Sequence, residues 1–436
     1  MIFGLFLAKE WHKRRKKGVD NYARLWYTDM VSCKNSKIDG CRKDEPFAYY
    51  GISVFKNGEK NTSGNGMNRE EQQIISVCQR FAIVGEYSRY EVINSGHINT
   101  TYRVYFIRHG EEKDYILQKV NTYVFTKPVD VMENISAVTE FIRAKINATG
   151  VTAKRSVLHY AITEHDEYYT TMPDGGFWRC CRYINGSVSF TQTDNLKIIE
   201  ESGKAFGEFQ NYLIDFPVEK LHIVIPHFHN TVMRFDALEQ AAKDDLAGRA
   251  KEVEDVLQGY REIRELATKP YRMQREGVLP LRVTHNDTKT SNVLFDAETH
   301  EKLAVIDLDT VMPGLVAFDF GDAIRVAGST VDEDEKDLSK VALDLEKYEA
   351  FTRGFVGMVK DTITDEEKRS LALGAIAMTA ECGARFLTDY LNGDKYFRIH
   401  YPDQNLARAK CHLTLTLDMI AKLTQMQAIV EKYCKA

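Results

Sequence analysis

One polar stretch followed by two short apolar runs constrains this fold most: LRVTHNDTKTSNVLFDAETHEKLAVIDLDT, residues 281–310. The runs NVLF and LAVI are strand candidates, and the polar turn DAETHEK between them predicts a hairpin. Because antiparallel partners reverse direction, Asn292 before the first strand and Asp307 after the second are expected at the same end of the ladder. Asp287 lies five residues upstream of Asn292. The hairpin therefore predicts two carboxylates and an amide close together, a ligand set that suits a divalent metal carrying phosphate oxygens.

The sequence before this stretch predicts a small antiparallel sheet. YEVINSGHINTTYRVYFI alternates apolar and polar residues on both sides of Ser95 and Gly96, which is typical of two strands joined by a turn, and KDYILQKV continues the sheet. Apolar residues then recur at helical spacing from Val131 to Ile142, which predicts one helix packed on the sheet. Residues 67–180 are therefore predicted to form an α+β N-terminal lobe.

Helical patterns dominate the rest of the chain. The strand-like FWRCCRYING, residues 177–186, ends in a break that contains glycine, and helical patterns follow it, among them the buried-looking LALGAIAMTAECGARFLTDYL. Residues 181–436 are predicted to form a larger, mainly helical lobe that also holds the hairpin. The predicted fold class is α+β with two lobes, and the candidate site lies in the cleft between them.

The N-terminal 66 residues show no sustained period and end in a Gly/Asn/Ser-rich linker, so residues 1–66 are predicted to be disordered or outside the fold. Their first residues, MIFGLFLAKEWHKRRKK, place a short apolar run before the basic cluster, the reverse of a secretory signal. Neither a signal nor a membrane span is expected. Two alternatives stay open: HKRRKK binds a charged surface, or the protein starts at Met67.

Charge and cysteine usage limit the partners. Lys and Arg number 58 against 63 Asp and Glu, and no long basic run occurs in the central sequence, which argues against a nucleic-acid partner. The eight cysteines form no CxxC pair, so they are interpreted as thiols in a reducing compartment. A cytoplasmic protein is expected, with no membrane association and no obligatory protein partner.

The catalytic stretch resembles a known superfamily. His285, Asp287, Asn292 and Asp307 follow the order His-x-Asp, Asn five residues later, then Ile-Asp, as in the aminoglycoside phosphotransferase and choline-kinase superfamily. Within it, longer strings are most similar to N-acetylhexosamine 1-kinases, from about residue 69 to near the C-terminus. These strings are GHINTTY at 96–102, YILQ at 115–118, VTHNDTKTSNV at 283–293, VIDLDTVMPG at 305–314 and FDFGD at 318–322.

The resemblance implies a protein-kinase-like bilobal fold and an ATP- and Mg²⁺-dependent kinase that phosphorylates the anomeric C1 hydroxyl of an amino sugar, GlcNAc or GalNAc. Asp287 would accept the proton of the attacking hydroxyl, while Asn292 and Asp307 would bind Mg²⁺. An anomeric hydroxyl is a comparatively acidic alcohol, so positioning and charge neutralisation are expected to supply most of the acceleration. The preferred epimer and the oligomeric state stay open.

The triplet DFG that begins at Asp319 looks like the metal-binding triplet of protein kinases. Asp307 follows Asp287 by 20 positions and Asp319 follows it by 32, and the short interval of kinase-like folds favours Asp307 as the metal ligand. Asp319 and Asp322 are instead expected to support the loop through hydrogen bonds to backbone N–H groups, and His285 to hold the loop by hydrogen bonds.

A single glycine in NSGHINTTY stands where protein kinases have a Gly-rich loop, so backbone N–H groups and nearby side chains would cover the phosphates. In YILQKV, Gln118 and Lys119 face opposite sides of a strand. The resemblance places Gln118 in the cleft and leaves Lys119 outside, which argues against a required Lys–Glu pair with Glu133. The predicted nucleotide-binding residues are Gly96, Asn99, Thr100, Thr101 and Gln118.

The acceptor site is predicted from the resemblance and from one polar stripe. Glu381, Arg385 and Asp389 are spaced i, i+4, i+8 on an otherwise apolar helix, and an intrahelical salt-bridge ladder is the alternative. Asp309 is interpreted either as a strand-end cap or as a contact beside the metal. The predicted sugar-binding residues are His97, Asp287, Thr310, Arg385 and Tyr396.

Two other functions are alternatives to the sugar kinase. A kinase of the same superfamily for choline, an aminoglycoside or homoserine is one, but a cationic acceptor requires acids in the C-terminal half, where the stripe carries Arg385. A nucleotide-binding pseudokinase is the other, and the retention of Asp287, Asn292 and Asp307 together argues against lost catalysis.

Overall fold

The computed structural model describes residues 68–94 and 98–435. An antiparallel sheet in the N-terminal part precedes a mainly helical part, so the predicted α+β, protein-kinase-like class is confirmed. The predicted extension of residues 1–66 lies outside the described residues. The division of the chain at residue 180 stays a prediction.

The N-terminal part contains two helices and the five strands of the main sheet. They are α1 Arg69–Cys78, β1 Glu86–Ile93, β2 Thr100–Arg108, β3 Glu111–Val120, α2 Pro128–Ala148, β4 Thr170–Thr171 and β5 Phe177–Arg182.

The C-terminal part is built from helices with a few short strands between them. These elements are β6 Ser187–Val188, α3 Leu196–Tyr212, α4 Thr231–Asp244, α5 Glu254–Ala267, α6 Lys269–Arg275, β7 Arg282–Thr284, β8 Val293–Asp296, β9 Lys302–Val305, β10 Met312–Gly314, α7 Val316–Ala327, α8 Leu345–Val359, α9 Asp365–Leu391, α10 Gln404–Ala421 and α11 Leu423–Lys435.

The main sheet has the order β1-β2-β3-β5-β4, and its two faces pack against different helices. Alternate residues of a strand point to opposite faces, so Leu117 and Trp178 pack with α1, as do Tyr102, Val104 and Phe106 of β2. Their neighbours along the strands point to the other face, where α2 and the catalytic segment lie. This alternation decides which polar side chains reach the cleft.

The predicted hairpin is confirmed. β8 and β9 pair antiparallel, with Val293 opposite Val305, and β6 lies beside β8. The backbone N–H of Ile306 donates to the carbonyl of Asn292 at 2.8 Å, which continues the ladder beyond the strands. Asn292 and Asp307 therefore lie at the same end of the hairpin, as the antiparallel pairing required.

Two pairs of helices approach so closely that their backbones touch. A Cβ on Gly354 of α8 would collide with the carbonyl oxygen of Glu200 on α3, and a Cβ on Gly203 would collide with that of Phe351. The same occurs where α7 crosses α9, because a Cβ on Gly321 would collide with the backbone of Gly374. The glycine of the DFG triplet thus lies inside a helix, at a helix crossing.

Helix α9 is the central element of the C-terminal part. It begins with a capping box, in which the hydroxyl of Thr364 accepts from the N–H of Glu367 at 3.2 Å and the Glu367 carboxylate accepts from the N–H of Thr364 at 2.8 Å. Among the described residues it is the one helix long and apolar enough to span a membrane, and 83% of that apolar window is buried inside the protein. Such burial is typical of a core helix.

Two glycines of α8 provide a matched test of the helix contact. Gly354→Ala is expected to lower the free energy of unfolding by about 1–3 kcal/mol or more, because the methyl group meets the α3 backbone, which cannot turn away. Gly357→Ala, whose Cβ would meet nothing within 4 Å, is expected to be neutral or to stabilise by up to about 1 kcal/mol through helix propensity. Urea denaturation measures both variants, and equal effects would contradict the close contact.

Candidate active site

The loop between β7 and β8 carries the predicted catalytic aspartate, and one buried carboxylate of α7 holds its backbone. Asp319 accepts the N–H groups of His285 and Asn286, each at 2.8 Å, and the side-chain amide of Gln210 at 2.6 Å. Asn286 adopts a φ of 63°, a left-handed conformation that asparagine tolerates. Asp287 therefore leaves the loop in a direction fixed by α7.

His285 joins the loop to the end of β9. Its Nε2 lies 2.9 Å from the carbonyl oxygen of Ile306, which can only accept, and its Nδ1 lies 3.2 Å from the backbone N–H of Asp287, which can only donate. The imidazole is therefore the neutral tautomer with its proton on Nε2. The ring is fully buried and makes edge contacts with Phe206 and Phe209.

Asp322 supports the loop one turn of α7 further on. Its carboxylate accepts the N–H of Thr288 at 2.9 Å and two N–H groups of Arg325 at 2.9 and 3.0 Å. Burial of Asp322 raises its pKa, but Arg325, His229 and the N–H of Thr288 together outweigh burial and lower the pKa below its ordinary value. The carboxylate thus stays ionised beneath the loop.

The two oxygens of Asp287 have different surroundings. Oδ2 accepts from the amide of Asn292 at 3.0 Å and from the ammonium of Lys289 at 2.9 Å, whereas Oδ1 accepts no hydrogen bond within residues 68–94 and 98–435. Burial lowers the pKa of Lys289, but the nearby Asp287 more than offsets burial and raises it. Asp287 is therefore held by one oxygen and open at the other.

Asp307 faces the cleft, where solvent reaches its side chain while protein surrounds its inner side. Partial desolvation and the charges of Asp309 and Asp287 raise its pKa. Its carboxylate makes no hydrogen bond to any residue that the structure describes, and the carboxamide oxygen of Asn292 is left free because that side chain bonds Asp287 through its nitrogen. Oxygen donors with excess negative charge suit a hard divalent cation such as Mg²⁺.

Residues 89–351 match the phosphotransferase enzyme family, a span that includes most of the sheet, the catalytic loop and the hairpin. The chain belongs to the phosphotransferase enzyme family. This membership confirms the phosphotransferase predicted from the His-x-Asp motif, while the N-acetylhexosamine acceptor stays a prediction.

Solved structures agree with the phosphotransferase fold. An aminoglycoside phosphotransferase from Alicyclobacillus acidocaldarius superposes with a TM-score of 0.56 at 12% identity, over 86% of this chain and 99% of that chain. A choline kinase from Cryptosporidium parvum gives 0.49 at 12% identity, over 84% and 99%. A Plasmodium vivax ethanolamine kinase gives 0.45 at 16% identity, over 74% and 82%. The first value shows a shared fold, and the two lower values add nothing to it.

The residues predicted to bind nucleotide differ in their surroundings. Gly96 lies outside the described residues, as does the predicted sugar ligand His97. The amide of Asn99 donates to Asp309 at 2.7 Å, and Gln118 donates to the hydroxyl of Thr101 at 3.1 Å. Thr100, at the start of β2, is exposed. The side chains of Asn99, Thr101 and Gln118 therefore each form a hydrogen bond with another side chain of the phosphotransferase.

Lys119 lies on the sheet face that packs with α1. Its ammonium is 3.7 Å from the carboxylate of Asp174 and 5.6 Å from the centroid of the Trp178 ring. Glu133 of α2 lies 2.6 Å from a ring nitrogen of His222 instead. The phosphotransferase thus forms no Lys119–Glu133 ion pair.

The cation that does reach the catalytic segment is one that the sequence did not single out. Arg179 of β5 is 2% exposed, donates from Nε to Gln118 at 2.9 Å and forms an ion pair with Asp309. Burial lowers the pKa of this guanidinium, but Asp309, Tyr160 and Asp307 together outweigh burial and raise the pKa. The only signal in the sequence was an arginine inside the apolar FWRCCR, and its partner depends on strand register, which the sequence does not show.

On the acceptor side, the polar stripe of α9 is not a salt-bridge ladder. In the described part of the chain Arg385 pairs with neither Glu381 nor Asp389, and its guanidinium carbon lies 6.0 Å from the centroid of the Tyr396 ring. Asp389 instead accepts backbone N–H groups of the loop after α9, including that of Tyr396 at 2.8 Å. The hydroxyl of Thr310 donates to the carbonyl of His285 at 2.7 Å, so only its lone pairs can meet a ligand.

A second link that the sequence did not reveal joins α9 to the catalytic loop. His229 lies between Glu381, 3.0 Å from Nδ1, and the carbonyl oxygen of Asn286, 3.2 Å from Nε2. A cavity of about 150 Å³ opens beside this histidine and is lined by Asn286, Gly314 and Phe318 among others. Glu381 of this polar stripe is therefore linked through His229 to the loop that carries Asp287.

The hydrogen bonds of Asp319 give a test that separates support of the loop from metal binding. Asp319→Asn is expected to lower the free energy of unfolding by about 1–3 kcal/mol, because one carboxamide cannot accept both backbone N–H groups without facing its own NH₂ toward a donor. Mg²⁺ dependence of any turnover is expected to persist. Thermal and urea denaturation, with the exposed Asp361→Asn as control, measure this, and unchanged stability with lost Mg²⁺ dependence would make Asp319 the metal ligand.

Proposed function

We propose that this phosphotransferase is an ATP- and Mg²⁺-dependent kinase for the anomeric C1 hydroxyl of an N-acetylhexosamine, GlcNAc or GalNAc. The observation that carries the kinase reaction is the open oxygen of Asp287. Its Oδ2 is held by Lys289 and Asn292 while Oδ1 stays available, which suits a group that accepts a hydroxyl proton in the cleft. The sugar itself is supported by the N-acetylhexosamine kinase strings of the sequence.

In this proposal Asp287 orients the acceptor hydroxyl and takes up its proton at Oδ1. The two hydrogen bonds at Oδ2 fix the carboxylate plane, and the backbone bonds of Asp319 fix the loop behind it. An anomeric hydroxyl needs only a weak base, so the main contribution of Asp287 is orientation.

Asn292 through its carboxamide oxygen and Asp307 through its carboxylate would hold Mg²⁺, since both residues lie at the same end of the hairpin near Asp287 and these oxygens make no competing hydrogen bonds in the described chain. A bound Mg²⁺ neutralises charge on the phosphate oxygens of ATP. Lys289, whose ammonium lies 2.9 Å from Asp287, adds a fixed positive charge on the side of the transferred phosphoryl group.

The charge of the acceptor side favours a neutral acceptor over a cationic one. Arg385 lies close enough to Arg234 that, together with burial as the larger cause, it lowers the pKa of Arg234 to about 10. The guanidinium of Arg385 repels a cation such as choline and can donate to sugar hydroxyls or an acetamido oxygen, while the carboxylate of Glu381 offsets part of the positive charge around Arg234. Tyr396, which is 50% exposed beside Arg385, offers a ring for the apolar face of a sugar.

A coupled ADP-release assay tests the acceptor. With ATP and Mg²⁺, turnover is expected with GlcNAc or GalNAc and not with glucose, galactose, choline or kanamycin, and phosphorus NMR is expected to show a sugar 1-phosphate. Turnover confined to choline or kanamycin would reject the sugar while leaving the roles of Asp287, Asn292 and Asp307 intact.

Removing the proposed base tests the mechanism. Asp287→Asn is expected to lower kcat by about 10²–10⁴-fold, because the carboxamide cannot take up the proton, while ATP affinity changes by less than about threefold. The matched control is Asp174→Asn, the same change at a half-exposed carboxylate on the opposite face of the sheet, which is expected to keep normal kcat. A comparable kcat for both variants would contradict the assignment of Asp287.

A further inference from the structure

We propose that Arg179 is a positioning residue for the magnesium–nucleotide site, acting through Asp309 to hold the segment that carries Asp307 against the N-terminal sheet. The inference rests on the proposed metal-binding role of Asp307. It gives a function to a buried ion pair that joins the sheet to this segment, and it assigns a role to Asp309, which the sequence left open.

The pair is part of a chain of contacts that crosses from strand to strand. Thr101 of β2, Gln118 of β3 and Arg179 of β5 share one face of the sheet, since Thr101 is paired with Gln118 in the register and Gln118 with Arg179. Their side chains are hydrogen-bonded in the same order, at 3.1 and 2.9 Å. These hydrogen bonds within the sheet therefore fix the orientation of the guanidinium that pairs with Asp309.

Each carboxylate oxygen of Asp309 already has a protein partner. Oδ1 takes the ion pair with Arg179, and Oδ2 accepts the amide of Asn99 at 2.7 Å, so both partners belong to the N-terminal sheet or the loop before β2. Asp309 is 3% exposed, whereas Asp307, two residues earlier, is open to the cleft. The two aspartates thus have different roles. Asp309 anchors the segment through Arg179, and Asp307 is left to bind the cation.

Protein kinases need a fixed ion pair between the third strand and the helix beside it, formed by a lysine and a glutamate. Neither candidate for that pair reaches the cleft in this protein, because Lys119 lies near Asp174 and Glu133 lies beside His222. Arg179, one strand further along the sheet, provides the cation, and Asp309 provides the carboxylate. The pair therefore links the sheet directly to the metal-binding segment.

Arginine suits this place better than lysine would. Its planar fork donates from Nε to Gln118 and from a terminal nitrogen to Asp309 at once, and a single ammonium on a flexible stem cannot reproduce that geometry. The contact is dry, with both side chains almost fully buried, so a lost partner leaves an uncompensated charge close to Asp307.

The test measures nucleotide binding without any acceptor. Calorimetry with a non-hydrolysable ATP analogue, with and without Mg²⁺, compares wild type, Arg179→Lys, Asp309→Asn and the double variant, and circular dichroism checks folding. Lys119→Met is the matched control, because it removes a cation from the neighbouring register position on the opposite face. Asp307→Asn is the reference for loss of the metal ligand itself.

Arg179→Lys and Asp309→Asn are each expected to weaken Mg²⁺-dependent analogue binding by about 10–100-fold, the usual effect of removing a group that orients a metal ligand. Affinity without Mg²⁺ is expected to stay within about threefold, and the double variant to be no weaker than Asp309→Asn alone because the two residues act as one unit. Lys119→Met is expected to bind as wild type does. Arg179→Lys keeps a positive charge beside Asp309, so it is expected to fold and to report on the fork geometry rather than on the loss of a buried charge.

Wild-type affinity in folded Arg179→Lys and Asp309→Asn, or an equal loss with and without Mg²⁺, would overturn the proposal. If either result occurs while Asp307→Asn clearly weakens Mg²⁺-dependent analogue binding, only the proposed role of Arg179 is rejected. If Asp307→Asn also binds normally, the proposed metal site itself is wrong. The identity of the acceptor does not affect any of these readings, since none is present.

Discussion

The buried carboxylate of Asp319 holds the whole candidate site in place. It accepts two consecutive backbone N–H groups of the catalytic loop, so the orientation of the peptide leading to Asp287 depends on a helix rather than on the loop itself. The helix is in turn fixed by its crossing with α9, where Gly321 and Gly374 bring the two backbones into contact. The loop that carries Asp287, the proposed base, thus gains the rigidity of two packed helices.

The same crossing explains a sequence string that resembles another protein class. In DFG, the aspartate is needed for the loop N–H groups and the glycine for the close approach of α9, while Phe320 is fully buried and packs against Tyr348, Phe351 and Phe355. Each residue is required by packing or by hydrogen bonding inside the C-terminal part. Three letters shared with a metal-binding motif can therefore arise from different physical requirements.

Local patterns were enough to predict the hairpin of β8 and β9, the antiparallel sheet and the helix α2, because period and turn composition act over a few residues. The pairing of Arg179 with Asp309 was beyond such reasoning. It depends on the register of β3 against β5, which are separated by more than fifty residues, and on the way the C-terminal part docks on the sheet. The contact of His229 with Glu381 depends likewise on how α9 packs, and nothing in either local sequence indicates it.

The loop that carries Tyr396 has a property that concerns the evolution of the protein. Asp389 holds it through the backbone N–H groups of Lys395, Tyr396 and Phe397, not through their side chains. Any residue other than proline at these positions can donate the same backbone N–H, while the ring of Phe397 additionally packs against Phe386. Natural variation can therefore exchange the half-exposed side chain at position 396, beside Arg385, while the loop keeps its backbone hydrogen bonds, so this surface can change its chemistry without a rebuilt scaffold.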